Sequence, residues 1–336
     1  MLLLDSLYIN NSGGKVLLDQ LIRALYESGQ PVFYLIDKRC EGDYPFLEAN
    51  KVIYLEVTLE RRKQFYIKEG NRFSKVLCFG NIPPPIRLKA LVYTYFHQLL
   101  YLETPPGTPL KKRLMTWLKS SWIKRKKINT DYWIVQTAYG KGLLAKMYNV
   151  PSDRVLEYPF YREITIEGSE VKRVANRFLY VSDGNPHKNH VRLLQAWKIV
   201  QAVEKEWELH LTISNAYPAL QQQVEEMKKY GHRIDNHGRL NRKELSDLYR
   251  SATWFVFPSY TESLGLPLVE AVNSGCIVIG SDRDYLKSVV SPGMVFDPDS
   301  VSSIAEVLLQ SNTSHKRSMV LIENKLDALV KILGTQ

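Results

Sequence analysis

Two glutamates eight positions apart, Glu262 and Glu270, bracket the segment Ser263-Leu264-Gly265-Leu266-Pro267-Leu268-Val269. An apolar run ending at Phe257 reads as a strand, Pro258-Ser259 opens a polar loop, and Pro267 suits the first turn of a helix, where its missing N–H costs nothing. Gly265 permits close backbone approach by a ligand. Free amides around Leu266–Leu268 would form a positive helix end suited to a phosphate. Glu262 falls just before that helix and Glu270 about one turn into it. The two could flank one ligand, its anionic group on the amides and its hydroxyls on either carboxylate. The plain structural alternative makes Glu262 a helix N-terminal charge and leaves Glu270 exposed. Against it, Glu270 lies within an apolar run, where a carboxylate needs a partner.

A second strand-to-helix loop, Ser182-Asp183-Gly184-Asn185-Pro186-His187-Lys188-Asn189, carries a lysine at the start of a helix. An ammonium there is a point-charge ligand for a diphosphate, although lysines near helix starts are common. Residues 111–127 hold eight Lys and Arg and no acid, and Leu110, Leu114, Trp117, Leu118 and Trp122 fall on one helical face. Basic amphipathic helices with Trp lie on anionic membranes. The alternative is a helix that braces its own sheet, and both hold if Leu114 and Leu118 pack inward while the lysines face lipid. Asp282-Arg283-Asp284 has the form of an Asp-x-Asp metal site but reads as an ordinary loop.

Elements must position these groups. Short β-branched and aromatic runs at Val32–Ile36, Lys51–Leu55, Val76–Phe79, Leu91–Phe96 and Tyr132–Thr137 read as strands of a first half. Runs at Phe178–Ser182, Glu208–Ser214, Thr253–Phe257 and Cys276–Gly280 read as strands of a second. Helical repeats lie between them, such as Val16, Leu17, Leu21 and Leu25 behind a Gly13-Gly14 loop, so buried parallel sheets covered by helices are expected. The pattern pauses at 158–175. This predicts two Rossmann-like α/β domains, 1–165 and 166–336; that the last helix packs back on the first domain is a separate expectation, which the pattern does not supply. Sheets of this kind bind ligands outside the carboxyl ends of their strands.

The 336 residues suit two domains. The net charge of +10 resides entirely in residues 1–165, where 25 Lys and Arg face 15 Asp and Glu; the remainder is balanced. That asymmetry suggests that the first half meets something anionic. No run approaches ~18 apolar residues, so no membrane-spanning helix is expected, and Met1–Asp5 does not read as a signal peptide. Cys40, Cys78 and Cys276 are far apart and form neither a disulfide framework nor a zinc spacing, which points to a cytoplasmic protein. Nucleic-acid reader motifs and aromatic platforms are missing.

Taken together, Pro258-Ser259, Glu262, Gly265-Leu266-Pro267 and Glu270 resemble the signature of family-four (group-one) retaining glycosyltransferases of the GT-B fold. Pro186-His187-Lys188-Asn189 is similar to their donor-phosphate loop. Gly238-Arg239-Leu240 with Glu244-Leu245 and Leu248-Tyr249 looks like the turn and helix under the nucleotide base, and Gly13-Gly14 resembles their N-domain glycine loop. The likeness is strong over about 175–310 and one of element order over 1–165.

The resemblance implies two facing domains with the donor site in the cleft. It gives Glu270 to the ribose hydroxyls, Glu262 to the transferred sugar, the amides of Gly265 and Leu266 to sugar or phosphate, and Lys188 to the leaving diphosphate. Gly13, Gly14, Asn189, Arg239 and Leu240 would line the donor, and His97 would lie near the reacting sugar. The implied chemistry is metal-independent, with no cofactor beyond a nucleotide sugar as co-substrate. The acceptor would be a glycan or polyprenyl-linked glycan, at the inner face of a membrane met through 111–127, in bacterial surface polysaccharide synthesis; no nucleic acid is expected. The sequence departs from the family at Asp183, where an Arg is common, at Ser263-Leu264 in place of Gly-Phe, and at Lys287 in place of a Glu. A non-catalytic sugar-nucleotide-binding partner of another transferase is the alternative. A nicotinamide oxidoreductase is disfavoured, because Asn11-Ser12-Gly13-Gly14 does not fit Gly-x-Gly-x-x-Gly.

Overall fold

A computed structural model describes residues 1–161, 171–313 and 315–334. The chain forms two compact units, one comprising Met1–Thr104, Thr108–Arg162 and Glu323–Gln336, the other Pro105–Gly107 and Glu163–Ile322. The boundary expected near residue 165 lies outside the described residues.

Among the described residues, the strands are β1 (Leu2–Asp5), β2 (Val32–Asp37), β3 (Val52–Leu55), β4 (Lys75–Cys78), β5 (Leu91–Tyr95), β6 (Tyr132–Val135), β7 (Val155–Glu157), β8 (Val174–Tyr180), β9 (Glu208–Leu211), β10 (Ile234–Asn236), β11 (Ala252–Phe257), β12 (Ile277–Ser281), β13 (Val290–Ser291), β14 (Met294–Phe296) and β15 (Met319–Val320). The helices are α1 (Ser12–Glu27), α2 (Leu59–Glu69), α3 (Leu110–Arg125), α4 (Ala138–Tyr148), α5 (His190–Val203), α6 (Pro218–Lys229), α7 (Arg242–Ser251), α8 (Leu266–Asn273), α9 (Asp284–Lys287), α10 (Val301–Leu309) and α11 (Leu326–Leu333). The first unit's sheet runs β3-β2-β1-β4-β5-β6-β7 and the second's β10-β9-β8-β11-β12-β14. Every pairing in both is parallel. This is the double α/β architecture expected from near-continuous apolar strands alternating with helices.

The glycine loop needs correction. Helix α1 begins at Ser12, so Gly13 and Gly14 form its first turn rather than a loop before it. Extended Asn11 caps it without a side-chain bond, and the first amides of any helix lack intrahelical partners.

In the first unit the carboxyl end of β1 is pinned by a buried charge. Asp5 and Arg62 are 1% and 3% exposed. The Arg62 Nε donates to Asp5 Oδ2 at 2.8 Å, and the Tyr66 hydroxyl donates to the same oxygen at 2.7 Å. The other guanidinium nitrogens each donate at 3.0 Å, to the carbonyls of Pro83 and Ile82. A strand end, a helix and the loop after β4 are thus fixed by one cation. Helix α11 closes this unit from far along the chain. Lys75 Nζ donates to the Ile332 carbonyl at 2.9 Å, Gln30 Nε2 to that of Val330 at 3.2 Å, and Lys325 N to that of Pro159 at 2.7 Å.

Removing one partner of a buried ion pair leaves the other uncompensated. Arg62→Met should destabilise the first unit by about 3–5 kcal/mol, read by hydrogen exchange of the β1 and β4 amides; a change below about 1 kcal/mol would show that Asp5 is solvated.

Candidate functional site

In the second unit two loops leave adjacent strands at their carboxyl ends. β8 pairs with β11, so the segment after Tyr180 lies beside the segment after Phe257. They are tied together. The Tyr180 hydroxyl donates to the Lys188 carbonyl at 2.8 Å and lies 3.1 Å from Ser259 Oγ, Tyr260 N donates to the His187 carbonyl at 2.8 Å, and the Tyr285 hydroxyl donates to the Ser259 carbonyl at 2.6 Å. A single 3-10 turn over Pro186–Lys188 and a left-handed Asn189 (φ 59°) then launch α5.

This framework places Lys188 Nζ 2.6 Å from Glu262 Oε1, with the side chains 17% and 12% exposed. The sequence assigned these residues separately to phosphate and sugar; the fold makes them one half-buried ion pair. Its two charges cancel locally, and an entering anion would compete with Glu262 for the ammonium. Asp183 turns away from that role. Both its oxygens accept from Asn185 Nδ2 at 2.8 Å, closing the loop on itself.

Gly265 occupies the left-handed region at φ 68°, costly for any residue with a Cβ, and precedes α8 as its N-cap. The expected row of free amides at 266–268 is shorter. Leu268 N donates back to the Gly265 carbonyl at 2.8 Å and Pro267 has no N–H, so this helix end presents Gly265 and Leu266. Glu270 is partly buried rather than exposed. Tyr249 of α7 donates its hydroxyl to Glu270 Oε2 at 2.9 Å. Burial raises the Glu270 carboxyl above its usual range, while the Tyr249 hydrogen bond and the nearby Arg242 pull it back down. This partner was not foreseen; Tyr249 stood in the sequence only as part of a helix under the base. Asn189 spends its side-chain amide on the Pro298 carbonyl at 2.8 Å, a tie within the fold. Arg239 is exposed and Leu240 partly buried, after a left-handed Gly238 at φ 65°. Asn236 holds this turn, its Oδ1 accepting from Ile213 N at 2.7 Å and Gly238 N at 3.3 Å.

The first unit brings His97 against Gly14. A Cβ on Gly14 would lie 3.2 Å from His97 Nε2, whereas at Gly13 it would meet open space. Asn81, held left-handed at φ 67°, accepts from His97 N at 2.7 Å, and its amide nitrogen lies 3.4 Å from Nε2. His97 Nδ1 has no hydrogen-bond partner among the described residues. Burial lowers this imidazole to about 4. The ring is therefore neutral at pH 7 and can donate or accept a hydrogen bond without bringing charge.

Helix α3 differs from expectation. Leu110, Leu114, Trp117 and Leu118 are 81%, 57%, 62% and 48% exposed, so Leu114 and Leu118 do not pack inward. Ile123 is buried and Trp122 packs beside it on the Trp133–Tyr148 cluster. One of its cations and two in the 3-10 turn that follows it serve the fold: Lys124 Nζ donates to the Met147 carbonyl at 2.8 Å, Lys126 Nζ to that of Pro85 at 3.2 Å, and Lys127 Nζ to those of Tyr148 and Asn149 at 2.9 Å. Lys111, Lys112, Arg113 and Lys119 are exposed beside the apolar stripe. Asp282 pairs with Lys287 at 2.5 Å and Arg283 with Asp299 at 2.6 Å. Among the described residues no three His, Cys, Asp or Glu gather as metal ligands, and no helix is long and apolar enough to cross a membrane.

Residues 162–326 match the family described as Glycosyl transferases group 1. The chain is 28% identical over 243 residues to O-antigen chain mannosyltransferase B of Escherichia coli, covering 68% of this chain and 62% of that protein. It is 26% identical over 243 residues to the O-antigen chain mannosyltransferase RfbU of Salmonella typhimurium, covering 70% and 64%. The matches thus span less than two thirds of these relatives' lengths. Among solved structures, WaaG, a glycosyltransferase involved in lipopolysaccharide biosynthesis, superposes with a TM-score of 0.70 at 15% identity over 100% of both chains. Sucrose-phosphate synthase from Thermosynechococcus elongatus superposes at 0.68 and 17% identity over 92% of this chain and 88% of that one.

The His97 ring gives a direct check on the electrostatics. Its Cε1–H resonance should hold the neutral-ring shift from pH 8 down to about 5, because burial opposes the proton; a midpoint near about 6.5 would mean a solvated ring.

Proposed function

Residues 162–326 belong to the group 1 glycosyl transferases and both units carry the parallel-sheet α/β fold of GT-B enzymes; from this premise we propose that the chain is a retaining, metal-independent hexosyltransferase. It moves a sugar, mannose by analogy with its relatives' names, from a nucleoside-diphosphate sugar to a glycan or polyprenyl-linked glycan during assembly of a bacterial surface polysaccharide. The observation that carries the reading is the Lys188–Glu262 pair, held beside the Gly265–Leu266 helix end with a half-buried Glu270 one turn further on.

In this reading Glu270 accepts from the ribose hydroxyls and Arg239 and Leu240 flank the base. Cleavage of the anomeric C–O bond builds positive charge on the sugar and negative charge on the departing diphosphate. Lys188 and the amides of Gly265 and Leu266 meet the latter, and because they are already fixed they need no reorganisation as charge develops. Glu262, released from Lys188 as the diphosphate enters, faces the sugar. The acceptor hydroxyl attacks the anomeric carbon from the face the diphosphate leaves and passes its proton to a leaving phosphate oxygen, so configuration is kept. His97, a neutral hydrogen-bonding group, orients the sugar, and the missing side chain of Gly14 leaves room beside its ring. The alternative of a non-catalytic nucleotide-sugar binder rests on Asp183 and on Ser263-Leu264 and predicts binding without turnover.

The same proposal places the protein on the cytoplasmic face of a membrane. The solvent-facing stripe of Leu110, Leu114, Trp117 and Leu118, with Lys111, Lys112, Arg113 and Lys119 around it, suits an anionic lipid surface.

Transfer to acceptor should continue in EDTA and be abolished in Lys188→Ala. Glu270→Ala should weaken nucleotide binding by about 1.5–3 kcal/mol, the scale of a hydrogen bond to a charged group. Calorimetry showing unchanged affinity in a folded Glu270→Ala, or loss of turnover in EDTA with rescue by Mn²⁺, would overturn these assignments. Separately, the protein should sediment with vesicles containing anionic lipid, lose most binding at high salt, and lose it on changing Lys111, Lys112, Arg113 and Lys119 to Glu, since each cation adds about 1 kcal/mol near such a surface. Equal, negligible binding to neutral and anionic vesicles would remove the membrane role and leave the transferase reading intact.

A further inference from the structure

We propose that Tyr249 is a positioning residue that sets which oxygen of Glu270 is offered to the nucleotide. The inference rests on the reading that Glu270 binds ribose.

Tyr249 is fully buried and has little freedom. It lies in α7, whose start is locked by a capping box: Asn241 Oδ1 accepts from Glu244 N at 3.0 Å and Glu244 Oε2 from Asn241 N at 2.9 Å. Its ring packs on Phe255 with centroids 5.7 Å apart, and its carbonyl accepts from Cys276 Sγ at 3.2 Å. The phenol oxygen therefore reaches Glu270 from a rigid support and donates its one proton to Oε2 at 2.9 Å. No other hydrogen bond to a side-chain oxygen of Glu270 occurs among the described residues, which leaves Oε1 for a ligand. A ribose diol offers hydroxyl donors to such an oxygen.

The same contact governs charge. The groups facing the Glu270 carboxylate are Tyr249 and Arg242, both of α7, and Cys276 stands behind Tyr249. Burial works against the anion and is the strongest influence, while the phenol and Arg242 favour it. A protonated carboxyl is a poor acceptor for ribose hydroxyls, so nucleotide affinity falls as pH drops through the Glu270 value. Without the phenol hydrogen bond that value rises, and the loss of affinity begins at higher pH.

The test is calorimetric titration from pH 4.5 to 8 with GDP-mannose and UDP-glucose, whose phosphates are diesters and keep constant charge over this range. Wild type, Tyr249→Phe, Glu270→Gln and the double variant are compared. Tyr249→Phe should bind within about threefold of wild type at pH 8 and reach a tenfold loss at least about half a pH unit earlier on acidification. Glu270→Gln and the double variant should lack the acid limb. A Tyr249→Phe limb that superposes on wild type, or a uniform loss at every pH, overturns the proposal. If instead Glu270→Gln binds as wild type and keeps the limb, the ribose reading itself fails. Should Tyr249→Phe not fold, proton resonances of the wild type and Glu270→Ala decide instead. The Tyr249 hydroxyl proton should appear as a slowly exchanging downfield signal that is lost in Glu270→Ala; its persistence there, or its absence from wild type, overturns the proposal.

Discussion

The candidate donor site depends on one buried phenol. Tyr180 ends β8, and its hydroxyl reaches both the Lys188 carbonyl and Ser259 Oγ. It thereby fastens the loop after β8 to the loop after β11, two segments that are otherwise polar and turn-rich. Burying this oxygen without partners would cost several kcal/mol, so the bonds form wherever the strands pair, and the loops have no freedom to drift. Lys188 and Glu262 are neighbours because this fastening exists. Tyr285 reinforces it from the other side through the Ser259 carbonyl.

The first unit uses a charge for the same purpose. Arg62 satisfies Asp5 and two loop carbonyls at once, and the loop so held presents Asn81 to His97. In both units the groups that face the open end of a sheet are carried on loops, while the fixing groups lie one layer deeper and are nearly invisible from solvent. A partly buried imidazole beside Phe79 and Tyr95 is then kept uncharged by its surroundings.

Much of this was legible in the residues. Apolar runs of five or six residues marked most strands, because a parallel sheet covered on both faces tolerates little else. The loops after Tyr180 and Phe257 stood out through Pro, Gly and isolated charges. Strands such as β7, β10 and β14, three residues each, are too short to show a period. The contact between Lys188 and Glu262, 74 positions apart, depends on β8 and β11 being neighbours, which no local pattern states. Gly13 and Gly14 read as a loop because glycine is a weak helix former, yet a first turn lacks intrahelical N–H bonds and tolerates them. In α3 the spacing told which residues share a face. It could not tell which face meets the fold, because Ile123 and Trp122, not the leucine stripe, found the aromatic cluster of Trp133 and Tyr148.

Helix α11 has a temporal consequence. Leu329 and Leu333 are fully buried in the first unit, yet they follow the whole of the second unit in the chain. A ribosome working at roughly 5–20 residues per second must make about 170 further residues after β7 before this helix exists. During those seconds the first unit is an unfinished domain, with the surface that α11 will cover beside α1 and Lys75 still open. The second unit, contiguous in sequence over its main segment, can complete itself first. The order of completion along this chain is therefore the reverse of the order in which the two units begin.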